Sequence, residues 1–158
     1  MNVFVLLSKK LGIYLLAVFT TYILASLTAT QYVVGRLGTM GVDVDFAQRL
    51  SMTLGDLWGM AGMFLPIIAF GLLIAFLITA LLCRWLSRWR TPLYALAGAT
   101  ALVCVHVALN QAFGLTPVAI ARSSLGLLLQ GLAGAAGGFV YIGLNQLAFQ
   151  RSPFDIAE

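Results

Sequence analysis

Four long apolar segments, separated by the clusters of charged residues, constrain the fold of this chain most strongly. A helix needs about 20 predominantly apolar residues to cross the hydrocarbon core of a bilayer, and each segment meets or nearly meets that length. Backbone groups in lipid must find their hydrogen bonds within the chain, so the segments are predicted to be helices rather than strands. They extend approximately over residues 11–28, 57–83, 93–113 and 118–148.

The composition excludes a water-soluble domain. Hydrophobic residues make up 61% of the 158 residues and charged residues only 9%, whereas a soluble domain carries about 25% charged residues. The net charge is +4, but no basic run is interleaved with aromatic residues, which excludes nucleic-acid binding. We therefore predict an all-α fold, with residues 1–158 forming a single integral-membrane four-helix bundle.

The basic residues predict the orientation of this bundle, because Lys and Arg near the ends of spans favour the cytoplasmic side. Both termini are predicted to be cytoplasmic, as in a multi-pass protein of a bacterial-type inner membrane. Lys9 and Lys10 followed by an apolar stretch are patterned like a signal peptide, but no small-x-small cleavage site follows, so we expect an uncleaved first span. The inner side would hold Lys9, Lys10, Arg84, Arg88, Arg90 and Arg151, and the outer side Arg36, Arg49 and Arg122.

The segment over residues 29–56 is the one sizeable stretch between spans. Gly35, Gly38 and Gly41 predict that its first half is a loop. Asp45 followed by Gln48 three residues later is close to a capping box, which marks the start of a helix. We predict a short amphipathic helix on the periplasmic face, serving as a structural lid or, alternatively, as a gate or docking surface. Four residues recur in it at helical spacing: Phe46, Leu50, Thr53 and Leu57.

Glycines recur at helical spacing in the fourth span and at the start of the second. Small residues let two helix backbones approach closely in a membrane, so these faces are predicted to pack against another helix. Packing within the bundle is the simplest interpretation, and a homo-oligomer seam or a narrow polar passage are the alternatives. The predicted packing residues are Gly55, Gly59, Gly126, Gly134, Gly137 and Gly138.

The chain has one histidine, His106, which lies four residues before Asn110 and therefore shares a helix face with it. Polar side chains at this depth are costly in lipid, so the pair is expected to point into the protein. His106 could ligate haem or a metal, or relay protons. A structural imidazole bonded to Asn110, Gln130 or a hydroxyl of the first span explains it more simply. A lone histidine supplies no second ligand, so we predict no metal and no cofactor.

The fourth span is predicted to begin with Thr116 as the N-cap and Pro117 at the first helical position. Arg122 would then lie between one and two turns inside this helix. An arginine this close to the membrane core needs an acidic partner or must extend towards water. Asp56, at the outer end of the second span, is the predicted partner in an ion pair. A site for an anionic lipid or substrate headgroup is the functional alternative.

The sequence carries none of the patterns that indicate catalysis or ion coupling. No acidic residue lies in the middle of a span, which disfavours a proton- or sodium-coupled transporter. There is no HExxH, no phosphate-binding loop and no nucleophile elbow, so we predict that the chain is not an enzyme.

Three functions remain open from the sequence. The first is a non-catalytic membrane protein acting as a subunit, assembly factor or scaffold, in contact with the bilayer and with a membrane protein partner or a second copy. The second is a small oligomeric channel or transporter whose polar path is lined by His106, Asn110, Arg122 and Gln130. The third, weaker, is an electron carrier holding haem through His106.

Overall fold

The computed structural model describes residues 3–113 and 119–149, and every regular element in these ranges is helical. Four of the helices are long and apolar enough to cross a membrane. The predicted all-α fold with four apolar spans is confirmed, and the chain is a multi-span membrane protein. The helices are α1 (Val3–Thr39), α2 (Phe46–Gly59), α3 (Ala61–Leu82), α4 (Arg90–Phe113) and α5 (Ser124–Phe149), with short 3₁₀ turns at Ser87–Trp89 and Ala119–Arg122.

The four long helices form a ring in which each helix contacts two others. The contacts run from α1 to α3, from α3 to α4, from α4 to α5 and from α5 back to α1. The amphipathic helix α2 contacts α1 and α3. The interior of the ring is filled by apolar side chains from all four long helices. Its fully buried apolar residues include Val18, Ile68, Leu72, Leu102 and Ile120.

Helix α1 is longer than the sequence predicted. It extends to Thr39 instead of ending near Thr28, so Gly35 and Gly38, which were expected in a loop, are helical. The helix ends where Gly41 takes a φ of +79°, while Val42 N–H donates to Leu37 O at 3.1 Å. This is a helix end of the Schellman type, which needs a left-handed residue at only one position. At 37 residues α1 is about 55 Å long, well beyond the ~30 Å of a hydrocarbon core.

The predicted second span is split into two helices. Helix α2 ends at Gly59 and α3 begins at Ala61, so residues 57–59 belong to the amphipathic helix. The break leaves carbonyl groups of the last turn of α2 without helical partners. The hydroxyl of Tyr22 in α1 donates to one of them, Leu57 O, at 2.5 Å. A tertiary contact therefore stabilises a break that the hydropathy pattern does not reveal.

Helix α2 begins as the sequence predicts, but its apolar side chains face in two directions. Asp45 and Gln48 form the predicted capping box, in which Asp45 N–H donates to Gln48 Oε1 at 3.2 Å. Thr53 is buried and Leu57 partly buried against the bundle. A second set, spaced by four residues, is at least half exposed: Phe46, Leu50, Leu54 and Trp58.

Helices α4 and α5 touch backbone to backbone. An added Cβ at Gly98 would overlap the carbonyl group of Gly134 and lie 2.8 Å from its carbon, and one at Gly138 would lie 2.7 Å from the Tyr94 carbonyl carbon. Ordinary carbon contacts need about 3.5–4.0 Å. Gly137 faces α1 instead, where an added Cβ would lie 3.1 Å from Ala17 O. Small residues therefore set both helix contacts of α5.

The other predicted packing glycines, Gly55, Gly59 and Gly126, do not lie at a crossing of two helices. Added Cβ atoms at Gly55 and Gly59 would meet nothing within 4 Å, because α2 faces the bundle with Thr53 and Asp56 instead. An added Cβ at Gly126 would lie 2.7 Å from the carbonyl carbon of Ile120, in the 3₁₀ turn just before α5. Gly126 thus permits a tight turn rather than a helix crossing.

Candidate functional site

Gln130 lies at the centre of a buried polar cluster between α5, α1 and α4. Its side chain is fully buried. Its Nε2 donates to Ala25 O at 3.0 Å and to Thr28 Oγ1 at 3.4 Å, which joins α5 to α1. On its other side it neighbours the imidazole of His106 in α4. The cluster therefore links three of the four long helices through one amide side chain.

His106 points into the bundle, as expected. Only 3% of it is exposed, and its ring lies 5.5 Å from the Phe64 ring of α3, centroid to centroid. Within the described chain its Nε2 has no hydrogen-bond partner, and neither has the adjacent Gln130 Oε1. An imidazole N–H donates and an amide oxygen accepts, so these two atoms are chemically complementary.

Ser26 adds a third buried polar atom without a partner in the described chain, its Oγ. It follows Ala25, the residue whose carbonyl binds Gln130, and it is fully buried. Buried polar groups are nearly always hydrogen-bonded, and unpaired ones mark places where water or a ligand group can enter. The sequence pattern did not indicate Ser26, since serines and threonines in membrane helices commonly bond to their own backbone.

Asn110, which was expected to share the inward direction of His106, is exposed. It lies three residues before the end of α4 at Phe113. Near a helix end a polar side chain can reach water, so the cost that drives His106 inward does not apply. The pair therefore separates into one buried and one exposed residue.

Asp56 binds a hydroxyl of α1. Thr30 Oγ1 lies 2.7 Å from Asp56 Oδ2 and 3.1 Å from Ser26 O, and the shorter contact holds α2 against α1. The predicted ion pair needs the side chain of Arg122, and that side chain lies outside the part of the protein that the structure describes. It stays a prediction.

Arg122 lies before the fourth span rather than one to two turns inside it. It is the last residue of the 3₁₀ turn, and α5 begins at Ser124. Ser123 Oγ accepts the N–H of Gly126 at 3.0 Å, and Ser123 O accepts the N–H of Leu127 at 2.9 Å. Ser123 is therefore the N-cap, a role that the sequence reading gave to Thr116, a residue outside the described ranges.

A groove of about 490 Å³ opens between α3 and α4 on the outer surface of the ring. Its α3 side carries Ile74 and Ile78, both about half exposed. The one hydroxyl of the α4 side, Thr100 Oγ1, donates to Leu96 O at 2.9 Å, so the groove presents no unpaired polar group there. The small residues of the α4 side are Ala97, Thr100, Ala101, Cys104 and Ala108.

The sequence reading missed this groove, although a signal was present. Ala97, Ala101, Cys104 and Ala108 repeat at spacings of three and four, the pattern that was recognised in the fourth span. Cys104 is exposed in the groove, whereas Cys83 is buried.

Comparison with known proteins gives no match. This holds for family models, curated sequences and solved structures alike. Functional inference therefore rests on the groove and on the polar residues described above.

The surroundings of His106 do not suit a haem ligand or a metal site. Its imidazole is enclosed by Phe64 and Gln130, whereas a haem shared by two copies of the chain would need His106 on an exposed face. Within the described ranges, no three His, Cys, Asp or Glu residues come together as a possible metal site.

Proposed function

We propose that this chain is a non-catalytic subunit, assembly factor or scaffold of a membrane protein complex, and that its α3–α4 groove receives a transmembrane helix of the partner. The proposal rests on the small residues that line the groove. Helices associate in lipid chiefly through close packing, and small residues at the interface allow it. Five of the eight α4 residues that line the groove are small, and the other three are Leu93, Leu96 and Val105.

The shape of the groove favours a helix over disordered lipid chains. Along α4 it runs from Leu93 to Ala108, about 22 Å at the rise of a helix. That length corresponds to about four helical turns of a partner crossing the same membrane. The large side chains of Ile74, Ile78 and Leu82 flank it on α3 and could interlock with a helix laid between them. Helix α3 is also the least buried of the four spans.

The proposal is tested with a photocrosslinking residue placed at Thr100 in the groove. Leu132, an exposed residue of α5, is the control position on another lipid-facing surface. At native expression levels we expect a discrete adduct with one identified membrane protein from position 100 and not from position 132. The variant Cys104→Leu, which fills the groove from an exposed position, should abolish the adduct.

Two outcomes would contradict this function. Equal adducts from both positions would mean that the groove has no selectivity. An adduct consisting of two copies of this chain would make the groove a homo-oligomer seam, which is a different function from a hetero-complex subunit.

The proposed setting is a bacterial-type inner membrane with both termini cytoplasmic and α2 on the periplasmic side, because six of the nine basic residues fall on the predicted inner side. Reporter fusions after Gly41 and after α5 test it. A reporter that is active only outside the cytoplasm should be active after Gly41 and inactive after α5. The reverse pattern would invert the orientation.

A second candidate function is a channel or transporter, which the three unpartnered polar atoms of Ser26, His106 and Gln130 favour. Water entering the cluster would supply a partner for Ser26 Oγ and would bridge the adjacent, complementary atoms His106 Nε2 and Gln130 Oε1. Flux into proteoliposomes should then fall in Gln130→Leu and persist in Gln111→Leu, a control at an exposed amide of α4. Absence of flux in the unsubstituted protein would remove this candidate.

A further inference from the structure

A second cavity, of about 560 Å³, lies at the end of the bundle where α4 begins and α5 ends. Four helices line it, with Lys10 from α1, Ala80 from α3, Arg90 and Tyr94 from α4, and Asn145 from α5. It shares no residue with the α3–α4 groove, and the argument for it does not depend on the proposed function.

The charge of this cavity favours an anion. Lys10 and Arg90 bring two positive charges, and none of the described residues that line it is acidic. Asp43, Asp45 and Asp56 belong to α2 and the connection before it, which adjoin the far end of α1. The amide of Gln146 adds a neutral hydrogen-bond donor group, and so does that of Asn145, whose Nδ2 already donates to Tyr141 O at 2.8 Å through one of its two hydrogens.

The walls of the cavity are held in place by aromatic packing. The Tyr141 ring stacks on Phe76 at 4.5 Å and lies 5.2 Å from the Tyr94 ring, centroid to centroid. The Lys10 ammonium lies 5.9 Å from the centroid of the Phe149 ring, within the range of a cation–π contact. The Lys10 ammonium is thereby positioned at the cavity before a ligand arrives. This lowers the entropic cost of ordering the Lys10 side chain when the ligand binds.

Polar and apolar side chains both line the cavity. Leu6, Ile142 and Phe149 line it beside the cationic groups. Such a lining suits an amphiphile whose charged group enters the cavity while its chains stay in lipid. Arg recognises phosphate through two parallel hydrogen bonds, and basic pockets between membrane helices bind anionic headgroups.

We infer that this cavity binds a phosphate group between Lys10 and Arg90. An anionic phospholipid headgroup is the source that the apolar walls favour, and free phosphate is the other source of the same chemistry. Lys10 supplies a point charge, and the planar Arg90 guanidinium fixes the phosphate oxygens.

Neighbouring residues provide matched controls for the test. Lys10→Gln is paired with Lys9→Gln, and Arg90→Gln with Arg88→Gln; each pair removes the same charge at the same end of the bundle. Lys9 and Arg88 do not line the cavity. Because Lys10 is exposed, Lys10→Gln keeps the test valid even if Arg90→Gln fails to fold.

The full-length chain is purified in detergent, and its thermal unfolding midpoint and bound lipids are measured by fluorescence and native mass spectrometry. The probes are phosphatidylglycerol, phosphatidylcholine and inorganic phosphate. Phosphatidylglycerol should raise the midpoint and appear as a bound adduct, whereas phosphatidylcholine should do neither. Lys10→Gln and Arg90→Gln should each weaken this binding about tenfold, the effect of losing one charge-assisted hydrogen bond, and the control variants should not.

The remaining outcomes decide between the sources or overturn the inference. Protection by inorganic phosphate that equals that of phosphatidylglycerol, and is lost in the same two variants, would assign the site to the free anion. Equal losses in Lys9→Gln and Arg88→Gln would mean that no phosphate site exists here. Equal binding of the two lipids, which both carry a phosphate, would overturn the anionic headgroup as the source.

Discussion

The backbones of Gly98 in α4 and Gly134 in α5 occupy the space that a side chain on either residue would need. An added Cβ would lie 2.8 Å from the carbonyl carbon of the partner in one direction and 2.7 Å in the other. Nothing flexible lines this contact, because both neighbouring groups are backbone. The α4–α5 pair therefore has little room to absorb added volume.

This contact predicts that Gly98→Ala and Gly134→Ala destabilise the fold. Overpacking of a tight interface costs about 1–3 kcal/mol, and here the two helices would have to move apart. The free energy of unfolding, measured by denaturant titration in mixed micelles, should fall by about that amount for each variant. Gly143→Ala is the control, since its added Cβ meets nothing within 4 Å and alanine is the better helix former. A loss in Gly143→Ala as large as in Gly134→Ala would contradict this account.

The start of α5 gives a second prediction. Ser123→Ala removes the oxygen that accepts the Gly126 N–H and should cost about 1 kcal/mol of unfolding free energy. Ser124→Ala should change stability little, because Ser124 is exposed and lies within the helix. Equal effects of the two substitutions on the unfolding free energy would mean that Ser123 is not the N-cap of α5.

Substitutions at Asp56 distinguish its hydrogen bond with Thr30 from the predicted ion pair with Arg122. Asp56→Asn keeps an acceptor for the Thr30 hydroxyl but removes the charge that an ion pair with Arg122 requires. If the predicted ion pair forms, Asp56→Asn should destabilise the protein by more than about 1 kcal/mol, and exchanging the two charges should restore most of the loss. A double exchange as damaging as the single substitutions would eliminate the pair and leave Thr30 as the partner.

The exposed stripe of α2 predicts contact with lipid. Trp58, which is 88% exposed, lies at the end of a row formed with Phe46, Leu50 and Leu54. With Trp85 and Trp89 replaced by phenylalanine, bilayer lipids brominated near the headgroup should quench Trp58 more strongly than those brominated deep in the chain. Strong quenching by an aqueous quencher, with none by brominated lipid, would show that the stripe does not lie in the membrane interface.

The parts of this fold that could be predicted from sequence depend on local patterns. Length and hydropathy located the four spans because each span must cross a hydrocarbon core about 30 Å thick. That requirement acts on each segment separately. Asp45 and Gln48 marked the start of α2 for the same reason, since a capping box involves neighbouring residues.

The parts that could not be predicted depend on partners distant in sequence. The break before α3 is stabilised by the Tyr22 hydroxyl, 35 positions away from Leu57. Gly98 was not recognised because its role appears only when α5 lies across it. Asn110 faces outward because of where α4 ends, and the groove becomes visible only when α3 and α4 are placed side by side.

The mass of the intact assembly, extracted gently from native membranes, tests the central claim most directly. We predict a defined hetero-complex that contains this chain, and loss of the partner when Cys104→Leu fills the α3–α4 groove. A protein that is extracted with lipid alone, or an assembly whose mass is unchanged by Cys104→Leu, would contradict the claim that this groove holds a partner helix.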